Sequence, residues 1–141
     1  MKMLLFISFL LLHTINFVGD DLIGYWIDNQ GELIVQCYKY SNNYYGVIKW
    51  FDNPNPTKII YSKEGVPKNK WLGYVVMRNF VFVDGEWVEG HIHEIKSGKI
   101  YDAKIEMTSK NEIKVRGYVF VPMIGENMIF KRYFGKLPEQ K

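Results

Sequence analysis

From residue 22 to residue 134 the chain never holds a helical period, and a turn signal recurs about every eight to twelve residues. Asn29-Gln30-Gly31, Ser41-Asn42-Asn43, the proline run Asp52-Asn53-Pro54-Asn55-Pro56, Asp84-Gly85, Lys96-Ser97-Gly98, Ser109-Lys110-Asn111 and the bend at 122–127 cut it into short alternating pieces. Pieces of that length suit strands, and short connections make consecutive strands antiparallel neighbours. The expected strands are 22–28, 32–40, 44–51, 71–78, 79–83, 86–95, 99–107, 112–121 and 128–134, with 58–61 a candidate for a further short one. Asp84-Gly85 is the strongest hairpin signal, because a type I′ turn wants positive φ at both central residues. Aromatic residues make up 16% of the chain, an enrichment that favours sheet over helix. Closing the last strand on the first would remove both sheet edges. The fold expected is therefore all-β, a single antiparallel meander β-barrel of about eight to nine strands.

The first residues are a different material. Lys2 precedes an unbroken apolar run at 4–12, LLFISFLLL, too short to span a bilayer and suited to the core of a signal peptide. Residues 1–19 read as that signal, with a cut near Gly19 and an uncleaved N-terminal anchor as the alternative. Export to the periplasm or the medium is the consequence. The barrel domain then occupies 20–135, and 136–141 reads as a disordered tail. No further apolar stretch could span a membrane as a helix. The formal charge is +3, with acids and bases interspersed, so no basic stripe argues for nucleic acid or anionic lipid. Oligomeric state is not legible.

Cys37 is the sole cysteine, so no disulfide can form within the chain, and it reads as a small buried hydrophobe without the His and Asn or Asp partners of a nucleophile. Asp102, Glu106 and Glu94 are acids on alternating strands with no paired carboxylate. No catalytic constellation and no cofactor motif emerges. His91 and His93, with Glu89, share one strand face and could supply three zinc ligands, but no fourth ligand has suitable spacing and solvation is the simpler reading.

Gly24 and Trp26 open the first strand and Arg132 lies in the last. In a closed barrel these strands are neighbours, so Arg132 would stack on the Trp26 indole and cap backbone carbonyls at the barrel end, Gly24 permitting the approach. With these residues in place the chain resembles the lipocalin-like superfamily, and more closely the bacterial family called domain of unknown function 2147, over about 21–133. The likeness is carried by Asp21-Leu22-Ile23-Gly24-Tyr25-Trp26, Tyr45-Gly46-Val47-Ile48-Lys49-Trp50, Asn53-Pro54-Asn55-Pro56, Gly90-His91-Ile92-His93-Glu94, Gly98-Lys99-Ile100-Tyr101 with Lys104, Val115-Arg116-Gly117-Tyr118, Gly125 and Phe130-Lys131-Arg132. The chain departs from the family pattern at 93–95, at Glu126 and at Phe130, and around 59–69. The resemblance implies a calycin-type barrel, export in bacteria and no established enzymatic activity, and it offers no catalytic residues.

Alternation places Tyr38 with Tyr40, Val47 with Phe51, Tyr101 with Ala103 and Ile105, and Val115 with Gly117 and Val119 on common faces. Were those faces interior, Tyr38, Tyr40, Phe51, Tyr101, Ala103, Ile105, Val115, Gly117 and Val119 would line a cavity for a small hydrophobic ligand such as a fatty acid. The other outcome is a filled barrel, acting as an interaction or structural module of the envelope through a patch of exposed Trp50, Trp71 and Trp87.

Overall fold

The structure, a computed structural model, describes residues 15–57 and 64–141. The apolar run at 4–12 and the short strand expected at 58–61 lie outside them. Eight strands, β1 (Gly24–Asp28), β2 (Leu33–Tyr40), β3 (Asn43–Phe51), β4 (Val75–Val83), β5 (Glu86–His93), β6 (Ile100–Ser109), β7 (Glu112–Tyr118) and β8 (Gly125–Arg132), close in chain order into one antiparallel barrel. The seam pairs β1 with β8 through Trp26 opposite Arg132, Ile27 opposite Lys131 and Asp28 opposite Phe130. Apart from this seam, every pairing joins sequence neighbours, which is what short connections dictate. Asp84 and Gly85 both take positive φ, 51° and 82°, as a type I′ hairpin requires.

Two expected strands, 71–78 and 79–83, are one strand, β4. Asn79 sits at φ 62° and puts an extra residue into β4 where Tyr44 and Gly46 of β3 face Phe80 and Met77, so the ladder bends without ending. Leu22 belongs to a 3-10 turn, Gly19–Leu22, rather than to β1. A second bulge on β5 falls between Trp87 and Gly90, with Glu89 at φ 59°. Gly90 is required there, since a Cβ would run into the Phe80 ring that lies on it.

Three hairpin turns and the 3-10 turn gather at one end of the barrel, and that end is filled. Leu22, Trp26, Phe80, Trp87, Ile105 and Ile113 are all essentially fully buried. The fill stops part-way, and the half under the β1–β2, β3–β4, β5–β6 and β7–β8 connections is hollow.

The tail is not loose. Tyr133 N–H donates to Tyr25 O at 2.8 Å, and the chain then reaches the end of β3, where the Gln140 side chain donates to Phe51 O at 3.0 Å and accepts from Phe51 N–H at 3.1 Å. Trp50 Nε1 donates to Glu139 O at 3.3 Å and Asn53 Nδ2 to Lys141 O at 3.1 Å. The expectation of disorder at 136–141 rested on the lack of apolar period. What holds the segment is backbone and amide pairing, which leaves no such pattern.

Candidate functional site

The closed end is organised by one guanidinium. Arg132 lies over the Trp26 ring at 4.2 Å, and donates to Lys110 O at 3.0 Å, Ile23 O at 3.2 Å and Asp21 O at 2.7 Å. It thereby ties β8 to the β6–β7 turn and to the 3-10 turn. Gly24 adopts φ 138°, and a Cβ there would stand 2.9 Å from the Arg132 guanidinium, so the Gly24, Trp26 and Arg132 set is one sterically linked unit. The 3-10 turn also accepts the two buried indoles: Trp26 Nε1 donates to Leu22 O at 2.9 Å and Trp87 Nε1 to Gly19 O at 3.1 Å. Buried indole N–H groups need such partners.

Above this floor lies a cavity of about 900 Å³, open at the far end. Its wall is apolar: Leu33 and Val35 from β2, Phe51 from β3, Val76 and Met77 from β4, Ile92 from β5, Tyr101 from β6, Gly117 from β7, and Met128 and Phe130 from β8, with Trp71 reaching in from the β3–β4 connection. Trp71 meets the Phe51 ring edge-on at 5.1 Å and donates from Nε1 to Val66 O at 2.8 Å, which fixes its face toward the cavity. Charged groups are confined to the rim.

Of the nine lining candidates, Phe51, Tyr101, Gly117 and Val119 line this cavity. Ala103, Ile105 and Val115 also point inward, but lower down, where each is fully buried in the filled half. Tyr38 and Tyr40 do not line it. Trp26 stands opposite Val35, which puts Leu33, Val35 and Cys37 inside and turns the even-numbered residues of β2 outward. Tyr38 stacks on Tyr45 at 5.6 Å on the outer wall, and Tyr40 is exposed. Val47 and Phe51 part company because Lys49 is an extra residue between Ile48 and Trp50, which face the adjacent Val35 and Ile34 of β2, and this switches the phase of the alternation. Trp71, Met77, Ile92 and Phe130 were missed. The bulges at Asn79 and Glu89 shift the phase of β4 and β5, and Trp71, expected to open a strand at 71–78, stands in the connection before β4, which begins only at Val75.

The histidines take separate partners. His91 Nε2 lies 3.5 Å from Asp102 Oδ1 on the outer wall, while His93 Nδ1 lies 3.4 Å from the Tyr74 hydroxyl at the cavity rim. Glu89 is exposed on its bulge. Among the described residues, no three metal-ligating side chains converge. Burial, helped by the cation of Arg78 and by His91, holds the His93 pKa below its ordinary value, which favours the neutral ring beside the cavity. The tryptophans form no common patch: Trp87 is fully buried, Trp71 faces the cavity and Trp50 meets the tail. Cys37 is buried, which pushes its thiol up to about 12. Among the described residues no helix is long and apolar enough to cross a membrane.

Comparison with known proteins agrees with this architecture. The family model described as "Uncharacterized protein conserved in bacteria (DUF2147)" matches residues 24–132. Among solved structures, protein HP1028 from Helicobacter pylori, described as belonging to the lipocalin family, superposes with a TM-score of 0.60, covering 80% of this chain and 83% of its own at 14% identity, a likeness that speaks for the fold. No curated protein matches the sequence. The chain belongs to the DUF2147 family of bacterial proteins, and its fold is an eight-stranded lipocalin-like barrel.

Proposed function

We propose that this is an exported barrel that binds a small hydrophobic molecule in the open half of its interior. The observation that carries the reading is the cavity itself. A volume of about 900 Å³ with an apolar wall and polar groups only at the mouth suits a single acyl-chain-sized ligand. Five carboxylates, Asp28, Glu32, Asp52, Glu94 and Glu126, stand at the rim against two lysines among the described residues, which favours a neutral polar head, as in a fatty alcohol or monoacylglycerol, over a free carboxylate. The likeness to a lipocalin-family protein supports the same reading by analogy of fold.

Export rests on the pattern of residues 1–19. The contacts of the 3-10 turn refine where the leader would end. Gly19 O accepts the Trp87 indole, Val18 N–H donates to Asp21 Oδ2 at 2.8 Å, and Phe17 packs on the core. A cut at Gly19 would remove all three, so the reading places it upstream of Phe17.

The test is solvent extraction and mass spectrometry of the processed protein, with displacement of a fluorescent apolar probe. Expected are a co-purifying single-chain lipid and probe binding in the wild type. Gly117→Phe is expected to weaken probe binding at least about tenfold with an unchanged circular dichroism spectrum, because residue 117 faces the cavity with only ordinary contacts to Ile92 and Tyr101. A lipid-free protein that binds no probe sinks the ligand reading, and a chain mass showing residue 20 as the first sinks the refined cut.

A further inference from the structure

The β7–β8 connection, residues 119–124, carries Val-Phe-Val-Pro-Met-Ile, six residues with no polar side chain. Phe120 is 90% exposed and Met123 89%, and their neighbours Val119, Val121 and Ile124 are also exposed. Exposed apolar residues on this scale in one loop mark a contact surface rather than scatter. The loop is held in place. Arg116 of β7 donates through Nε to Pro122 O, through Nη2 to Met123 O at 3.2 Å and through Nη1 to Asn127 Oδ1 at 2.8 Å. Val119 N–H donates to Ile124 O, Val121 N–H to Val119 O and Ile124 N–H to Val121 O. Five of the six carbonyls of 119–124 thus accept hydrogen bonds from within the hairpin, and Pro122 has no N–H to satisfy. Phe120 is held at φ 68°, a conformation costly for an aromatic residue, with its ring in solvent.

We propose that this loop is a membrane-docking tip, which seats the open mouth of the barrel on the hydrocarbon edge of a lipid bilayer. The proposal builds on the ligand reading above and names the source of the ligand. Two features favour lipid over a protein partner. A loop entering hydrocarbon must satisfy its backbone polar groups internally, and this one pairs eight of its eleven within the hairpin, five carbonyls and three N–H groups, which lowers the cost of taking it out of water. Moreover, Val119, Ile124 and Met128 are exposed and also line the cavity, so a bilayer against the tip is continuous with the cavity wall. The acid-rich rim gives an anionic surface no advantage, so the docking is hydrophobic and suits zwitterionic lipid.

A site-specific probe tests this in the full chain. Cys37 is 1% exposed, so a cysteine introduced as Phe120→Cys takes a polarity-sensitive label alone, and Tyr40→Cys labels the opposite, closed end. With phosphatidylcholine vesicles, label emission at 120 is expected to rise several-fold and shift blue, with no change at 40. Neither added salt nor anionic lipid should strengthen the response. Phe120→Asp with Met123→Asp is expected to weaken the partition of the chain to vesicles at least about tenfold, with the fold intact by circular dichroism. A label at 120 that ignores vesicles overturns the proposal. So does one that responds to protein concentration without lipid, which would make the tip a contact between copies, or one that responds only to added envelope protein. Probe binding in vesicle-free solution reads the cavity separately: its loss sinks the ligand reading, whereas a silent label with probe binding intact sinks only the docking.

Discussion

At the scale of single residues, Arg132 concentrates more structure than any other side chain in the barrel. It places charge-assisted donors on three carbonyls from two separate segments and its guanidinium plane on Trp26. Hydrogen bonds from a charged donor and a cation–π contact in a partly desolvated setting add up to about 3 kcal/mol for the group as a whole. Arg132→Leu is therefore expected to lose about that much in denaturant unfolding. Arg132→Lys keeps the charge but not the planar fork, and is expected to lose about 2 kcal/mol. A lysine variant as stable as the wild type would mean that charge alone, not the fork, closes the barrel. The pairing of Trp26 with Arg132 was legible in the sequence because the two strands are first and last, and only a closed meander joins them. The inward set on β2 was not legible: alternation defines two faces and leaves open which is inside, and Trp26 opposite Val35 decides it.

Strands and turns track the punctuation of the sequence closely, and the departures occur where one extra residue enters a strand. The bulges at Asn79 and Glu89 leave β4 and β5 continuous while reversing the phase of the alternation across them, and that is why Met77 and Ile92 face the cavity. The C-terminal segment shows the opposite case, an element with no signature of its own. Its anchor is Gln140, whose amide brackets both backbone groups of Phe51. On this side β3 is paired through Val47 opposite Val75 and through Ile48, which donates to Tyr74 O and accepts from Gly73 N–H, so only the end of β3 beyond Ile48 would otherwise be a bare edge at the mouth. Gln140→Ala is expected to cost about 1 kcal/mol and to speed hydrogen exchange at the Phe51 amide. Exchange at Phe51 unchanged in the variant would show that water serves the edge equally well.

For the whole molecule, the barrel divides into a filled floor and a hollow upper half, and the two halves respond to different variables. The floor is expected to be sensitive to acid. Asp21 is held below the ordinary value of 3.8 by the Val18 N–H and then by Lys110, and Asp20 by the Tyr44 hydroxyl with Lys39. A carboxylate with a depressed folded pKa contributes stability above its unfolded value, and that stability is lost as pH falls through the lower folded value. The melting temperature should accordingly be level through mildly acidic pH and drop below about pH 4. Asp21→Asn is expected to lower the melting temperature at neutral pH and to flatten the drop. An Asp21→Asn profile parallel to that of the wild type would place the acid-sensitive groups elsewhere. The hollow half should respond instead to apolar ligand, which raises the melting temperature by mass action.

The class and closure of the fold were determined by the sequence alone. Turn chemistry at Asp84-Gly85 and its counterparts, the period of two, and an Arg in the last strand to meet a Trp in the first are local or pairwise facts that survive without coordinates. The state of the interior was decided only by the tertiary structure. Whether eight strands enclose a solid core or a cavity depends on how summed side-chain volumes fill the barrel at each level, on which bulge reverses which strand, and on residues such as Trp71 and Phe120, expected within strands, that fall in the connections beyond the ends of β4 and β7. The aromatic load looked the same in either case. Trp26, Trp87 and Phe80 crowd one end, and Gly117, Met77 and Val35 leave the other open, because inward residues from distant strands meet at one height only once the barrel has closed.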